Sequence, residues 1–113
     1  MSYINVSIDS FQDLVIDESH KRLVVLDISA EWCGPCKILE PIIKSVATEY
    51  DASEFLLCKL EAEDENMKIA GRYSVRGFPT VIAFIKGVEV ARFHSAQSAN
   101  FVRDFIDNNL EKF

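Results

Sequence analysis

Cysteine is scarce in this chain: 113 residues hold three, at positions 33, 36 and 58. A small odd number argues against a scaffold stapled by disulfides. Basic residues are also in the minority, with 12 Lys and Arg against 18 Asp and Glu and a formal net charge of -6. That argues against a nucleic-acid surface, which needs clustered cations, and suits a protein whose charge deters self-association. No apolar run approaches the length of a membrane span. The first residues, Met1-Ser2-Tyr3-Ile4-Asn5-Val6, lack a basic segment followed by an apolar one, so no secretory leader is expected. There is no internal repeat, low-complexity tract or linker, and the length suits a single domain over residues 1–113. Apolar residues, by contrast, make up 49% of the chain, enough for a sizeable core. The cytoplasm is the default compartment, and there a Cys-x-x-Cys pair is more often catalytic or metal-binding than structural.

That pair lies in Glu31-Trp32-Cys33-Gly34-Pro35-Cys36-Lys37. The run Leu23-Val24-Val25-Leu26 before it reads as a strand buried on both faces. After it, Leu39, Ile42, Ile43, Val46, Ala47 and Tyr50 recur at helical steps. Pro35 suits a first helical turn, where its missing N–H needs no partner. Cys33 is then expected at the helix N-terminus, where unpaired N–H groups and the helix dipole favour a thiolate, the form that attacks disulfides. Cys36, one turn in, is expected to be less exposed and placed to resolve a mixed disulfide. The competing use is half of a zinc site. Zinc needs two more ligands at regular spacing, and Cys58, His20 and His94 are scattered singly.

The remaining elements follow in order. Residues 3–8 read as a first strand. Ser10 is a candidate N-cap for a helix carrying Phe11, Leu14 and Val15 and ending near His20. Pro41 falls inside the long helix and is expected to kink it. Residues 54–60 read as a strand, followed by a short helix over 66–72 with Met67 and Ala70 inward. Residues 80–85 and 88–93 read as a hairpin across Lys86-Gly87. A last helix starts near Ser98, with Phe101, Val102, Phe105, Ile106 and Leu110 on its apolar face. The order β-α-β-α-β-α-β-β-α, with right-handed crossovers, predicts a mixed sheet between helical layers.

At Trp32-Cys33-Gly34-Pro35-Cys36-Lys37 the chain resembles the thioredoxin family, whose active-site motif stands here unchanged, and the resemblance extends over nearly the whole chain. It implies an α/β thioredoxin fold: a three-layer α/β/α sandwich with a central mixed five-stranded sheet. It also implies a protein disulfide oxidoreductase, a general dithiol reductant working through a Cys33–Cys36 redox disulfide. Such a protein binds no cofactor or metal and is re-reduced by an external, thioredoxin reductase-type donor. The implied partners are disulfide-containing target proteins, met by a monomer. The Gly34-Pro35 pair favours reduction, since oxidant and isomerase relatives usually carry a histidine before the second cysteine. The rival outside enzymology is a binding subunit on the same fold, because fold alone does not set function.

Asp27, set among Val25, Leu26 and Ile28, should be desolvated, which raises a carboxyl pKa and suits it to take the Cys36 proton. On residues alone, a helix cap or a paired buried charge serves equally, and the resemblance implies the proton-transferring aspartate. Lys59 either pairs with Asp27 across the sheet, as the matching family lysine does, or is an ordinary snorkelling lysine. Pro79 in Arg76-Gly77-Phe78-Pro79-Thr80 would be trans on base rates, whereas the resemblance implies a cis Phe78-Pro79 bond facing the dithiol. Phe78 would then present its backbone to a target strand, and Pro79 would keep metals from the thiols. Trp32, expected to be partly exposed and to shield the dithiol, joins Gly34, Pro35, Phe78, Pro79 and Ser95 as a substrate-binding candidate. Cys58 reads as a buried apolar residue. Three residues depart from the family pattern: Ser29 where an aromatic is common, Glu63 where aspartate is common, and Ser95 beside His94 where glycine is usual. His94 and Ser95 bear on partner choice.

Overall fold

The computed structural model describes residues 3–113. Its elements are β1 (Ile4–Asn5), a π-helical turn (Gln12–Asp17) continued by a 3-10 turn (Glu18–His20), β2 (Leu23–Ser29), α1 (Gly34–Ala47), β3 (Phe55–Glu61), a 3-10 turn (Asp64–Asn66), α2 (Met67–Arg72), β4 (Thr80–Ile85), β5 (Val88–His94) and α3 (Ala99–Leu110). The strands form one five-stranded sheet in the order β1-β3-β2-β4-β5. β1, β3 and β2 are mutually parallel, and β4 runs antiparallel to both of its neighbours, β2 and β5. This is the mixed sheet of the α/β fold that the element order predicts.

Side-chain alternation along the strands splits the core in two. Leu23, Val25, Phe55 and Leu57 pack with Leu39, Ile43 and Val46 of α1 and Val102 and Ile106 of α3. Val24, Leu26, Ile28, Leu56, Cys58 and Leu60 pack on the other side with Phe11, Val15 and Ile69. Every residue of β2 is buried, as its unbroken apolar run predicts for a central strand. Ser98 caps α3 by accepting a hydrogen bond from the Phe101 N–H at 3.1 Å. Lys86 and Gly87 turn the β4–β5 hairpin with φ of 52° and 83°, the pairing of positive angles that a two-residue turn between twisted strands needs.

Several expectations are corrected. The first strand is two residues long rather than six. The first helical segment is wound as π and 3-10 turns. An apolar spacing of four residues, as at Phe11 and Val15, does not distinguish those windings from α. The Ser10 hydroxyl accepts from the Ser7 N–H at 3.0 Å and so looks backward instead of capping. Met67 opens α2 and points to solvent at 47% exposure, while Ile69 and Ala70 carry the inward face. Phe101 lies at the margin of its helix face, 43% exposed, with its ring edge-on to Phe93 at 5.3 Å.

Candidate active site

α1 begins immediately after Cys33, which is its N-cap in extended conformation (φ -89°, ψ 113°), with Pro35 in the first turn. The Cys36 N–H donates to Cys33 Sγ at 3.1 Å. A backbone donor and the positive end of the helix therefore both face this sulfur, the environment that favours a thiolate. The Cys33 and Cys36 sulfurs are at bonding distance, with their Cα atoms 5.3 Å apart. The expected difference in exposure between them is not found: Cys33 is 3% and Cys36 5% exposed. Cys33 is covered because Ala30 and Phe78 pack against the pair, and its Sγ lies 3.4 Å from the Phe78 carbonyl oxygen. Trp32 is 78% exposed and meets Phe78 edge-on at 5.9 Å. It stands beside the dithiol as an open apolar surface and covers less of it than expected.

The Phe78-Pro79 peptide is cis, and Pro79 is buried. The Pro79 carbonyl accepts from the Ser95 N–H at 3.0 Å, so Ser95 is fastened beside the cis peptide. Ser95 has φ +71°, a left-handed conformation that glycine adopts at little cost and serine does not. The sequence position where glycine is usual is thus one where glycine would be unstrained. His94 Nδ1 lies 3.1 Å from Thr80 Oγ1. Thr80 Oγ1 donates to the Gly77 carbonyl, so the His94 Nδ1–H is the donor of this pair.

Asp27 lies in β2, 1% exposed. Tyr3 Oη donates to its Oδ2 at 2.7 Å, and Ser29 Oγ donates to its Oδ1 at 2.8 Å. Burial raises its pKa above the usual carboxylate value, and the hydrogen bonds from Tyr3 and Ser29 offset this only in part. Lys59 is the register partner of Asp27, yet its Nζ is bound elsewhere, at 2.7 Å from Glu40 and 3.2 Å from Glu61. Of the two readings of Lys59, the ion pair with Asp27 is not found: two hydroxyl donors hold the carboxylate instead, and Lys59 acts on Asp27 only through space, lowering its pKa. Glu40 reaches Lys59 because α1 crosses that face of the sheet, and Glu61 is two residues along on the same side of β3. Sequence reasoning missed Tyr3, Ser29 and Glu40 as parts of this site. Ser29 had a legible signal, since a residue two along a strand shares the face of Asp27.

Ser29, Ala30, Glu31, Cys36, Lys37, Glu40, Lys59 and Glu61 line a cavity of about 250 Å³ on this side of the dithiol. Among the described residues, no group of three or more His, Cys, Asp or Glu is placed to hold a metal ion. No helix of the described residues is long and apolar enough to cross a membrane.

A redox-active cysteine pair at the N-terminus of a helix, on a mixed α/β sheet with a cis-proline beside it, defines a protein disulfide oxidoreductase. Residues 2–108 match the thioredoxin family model, and the chain belongs to that family. It is 38% identical over 105 residues to a thioredoxin of Acidithiobacillus ferridurans, covering 93% of this chain and 94% of that one. It is 37% identical over 107 residues to a thioredoxin of Pseudomonas aeruginosa, covering 95% of each. With a thioredoxin of Buchnera aphidicola subsp. Schizaphis graminum it shares 36% identity over 108 residues, 96% of each.

Proposed function

We propose that this chain is a general reductant of protein disulfides in which Cys33 attacks and Cys36 resolves. The observation that carries the assignment of roles is the hydrogen bond from the Cys36 N–H to Cys33 Sγ at the head of α1. Charge on Cys33 is stabilised there by a donor that has no counterpart at Cys36 Sγ among the described residues. The Cys33 thiolate displaces one sulfur of a target disulfide and forms a mixed disulfide, releasing the first target thiolate. Cys36 gives up its proton, attacks Cys33 Sγ and releases the second target thiolate, leaving the Cys33–Cys36 disulfide. Asp27 receives the Cys36 proton, a role that suits a desolvated carboxyl whose pKa is raised toward neutrality. Trp32, Gly34, Pro35, Phe78, Pro79 and Ser95 form the target-binding surface around the pair. Lys59 modulates Asp27 through space. An external reductase of the thioredoxin reductase type returns the disulfide to the dithiol. Residues 1–113 act as one domain, as a monomer in the cytoplasm.

The test separates the two cysteines. Cys36→Ser should accumulate mixed disulfides with target proteins, visible as adducts on a non-reducing gel and dissolved by a reductant. Cys33→Ser should form none and should not reduce insulin disulfides in the presence of a dithiol donor. Equal behaviour of the two variants overturns the assignment of attacker and resolver.

A further inference from the structure

Asp27 and Cys36 are joined by no direct hydrogen bond among the described residues. Cys36 lines the 250 Å³ cavity beside the dithiol, and so does Ser29, but Asp27 does not. Of the two groups that touch the carboxylate, Tyr3 holds Oδ2. The other oxygen, Oδ1, is held by Ser29, whose residue borders the space that Cys36 faces. We infer that the Ser29 hydroxyl is the proton port of this enzyme, passing the Cys36 proton from the cavity to Asp27 Oδ1. The inference rests on the proton-accepting role proposed above for Asp27.

The transfer balances without any other reactant. The cavity is polar and larger than the roughly 30 Å³ that one water occupies in the liquid, so water can link Cys36 to Ser29. The Cys36 thiol proton enters that link, Ser29 Oγ receives a proton from it, and Ser29 hands its own hydroxyl proton to Asp27 Oδ1. The products are a Cys36 thiolate, a neutral Asp27 and an unchanged serine. Tyr3 keeps the carboxylate from rotating, because its bond to Oδ2 fixes which oxygen faces Ser29. The charged and titratable groups around the carboxylate are Tyr3 beside β1, Lys59 and Glu61 on β3, and Glu40 and Lys44 on α1. Lys59 is committed to Glu40 and Glu61, and Lys44 lies over the Tyr3 ring at 5.1 Å. None of them stands between Ser29 and Asp27, which are in direct contact.

The experiment follows the two-phase release of a chromogenic thiolate from an aromatic disulfide by stopped flow, in H₂O and in D₂O, across the pH range. The first phase reports attack by Cys33 and the second reports resolution by Cys36. Ser29→Ala should leave the first phase intact and slow the second by about 10²-fold near neutral pH, the lower end of what a positioned proton-transfer group contributes. Its second phase should lose the solvent isotope effect and the pH dependence that follow Asp27. Ser29→Thr keeps the hydroxyl, and its added methyl has the cavity to enter, so it should restore all three. Asp27→Asn should be as slow as Ser29→Ala, and the double variant no slower than either, because both residues serve one path. A Ser29→Ala enzyme that resolves at the parent rate while Asp27→Asn is slow overturns the port and leaves the role of Asp27 standing. Asp27→Asn at the parent rate overturns both. Multiplied defects in the double variant overturn the port, since the two residues would then act separately.

Discussion

Strands β2 and β3 present two faces of opposite chemistry. On one, Val24, Leu26, Ile28, Leu56 and Leu60 surround Cys58, which has no exposure at all. Desolvation pushes that thiol up to about 12, so it stays protonated and unreactive. On the other, Val25 and Leu57 give way, nearer the dithiol, to Asp27, Ser29, Lys59 and Glu61. Burial there is as deep at Asp27, but every polar group on that face has a partner within hydrogen-bond reach. Depth alone therefore does not decide how a titratable group is surrounded. Cys58 is silenced by apolar neighbours, whereas Asp27 is held by two hydroxyl donors, one of them on Ser29 at the edge of the cavity. Cys33 and Cys36 gain their chemistry from a helix end, which Cys58 lacks.

Three substitutions probe this contrast, beginning with the largest effect. Asp27→Asn should slow the resolving step by about 10²-fold, as expected for loss of a general base. It should also stabilise the folded protein at neutral pH. The folded-state pKa of Asp27 lies above its unfolded value, so the native state binds more protons between the two values and stability falls as pH rises through them. The advantage of Asp27→Asn should therefore grow as pH rises from the unfolded value through the folded one and vanish as pH drops below about 4, the unfolded value. Urea unfolding at several pH values checks this. A variant less stable than the parent at pH 7 would mean that the hydrogen bonds from Tyr3 and Ser29 outweigh desolvation.

On the apolar face, Cys58→Ser should leave turnover intact and lose about 1–3 kcal/mol of stability, the penalty for a buried hydroxyl without a good partner. The nearest acceptor, the Leu14 carbonyl, is 3.9 Å from the sulfur, too far for a hydroxyl bond. The midpoint of denaturant unfolding reads this directly. A fall in insulin reduction that exceeds the loss of folded protein would mean that the inert face takes part in the chemistry. The smallest effect is expected from Lys59→Met. Its side chain is partly exposed and paired with Glu40 and Glu61, so the resolving barrier should change by less than about 1 kcal/mol. A defect as large as that of Asp27→Asn would restore the direct lysine–aspartate pair that these contacts replace.

The fold was largely legible because its signals are local. The apolar run of β2, the period of α1, the Lys86-Gly87 turn and the Ser98 cap each declare themselves within a few residues. The dithiol was legible for the same reason, since its two sulfurs and the helix that activates them lie in one heptapeptide. What failed depended on distant partners. Tyr3 is 24 residues from Asp27, and only the register of the folded sheet brings them together. For Lys59 the resemblance offered a pair with Asp27 beside the plain reading of a snorkelling lysine, and neither foresees Glu40, which reaches it from a different layer. Met67 and Phe101 sit at the margins of their helices, where apolar periodicity does not say which side of the boundary a residue takes. The similar exposure of Cys33 and Cys36 has the same origin, because Phe78 arrives from the loop before β4 to cover them.

The phenol that holds Asp27 belongs to the residue just before β1, and β1 has only two ladder residues. Segments held by so few backbone bonds open at a small fraction of the global unfolding free energy. Fraying of this end withdraws Tyr3 and admits bulk water to Oδ2 while β2 and β3 stay closed. Amide exchange at Ile4 and Asn5 should accordingly be rapid against the protected centre of β2. The carboxylate at the heart of the sheet is thus covered at Oδ2 by a residue that borders the shortest of the five strands.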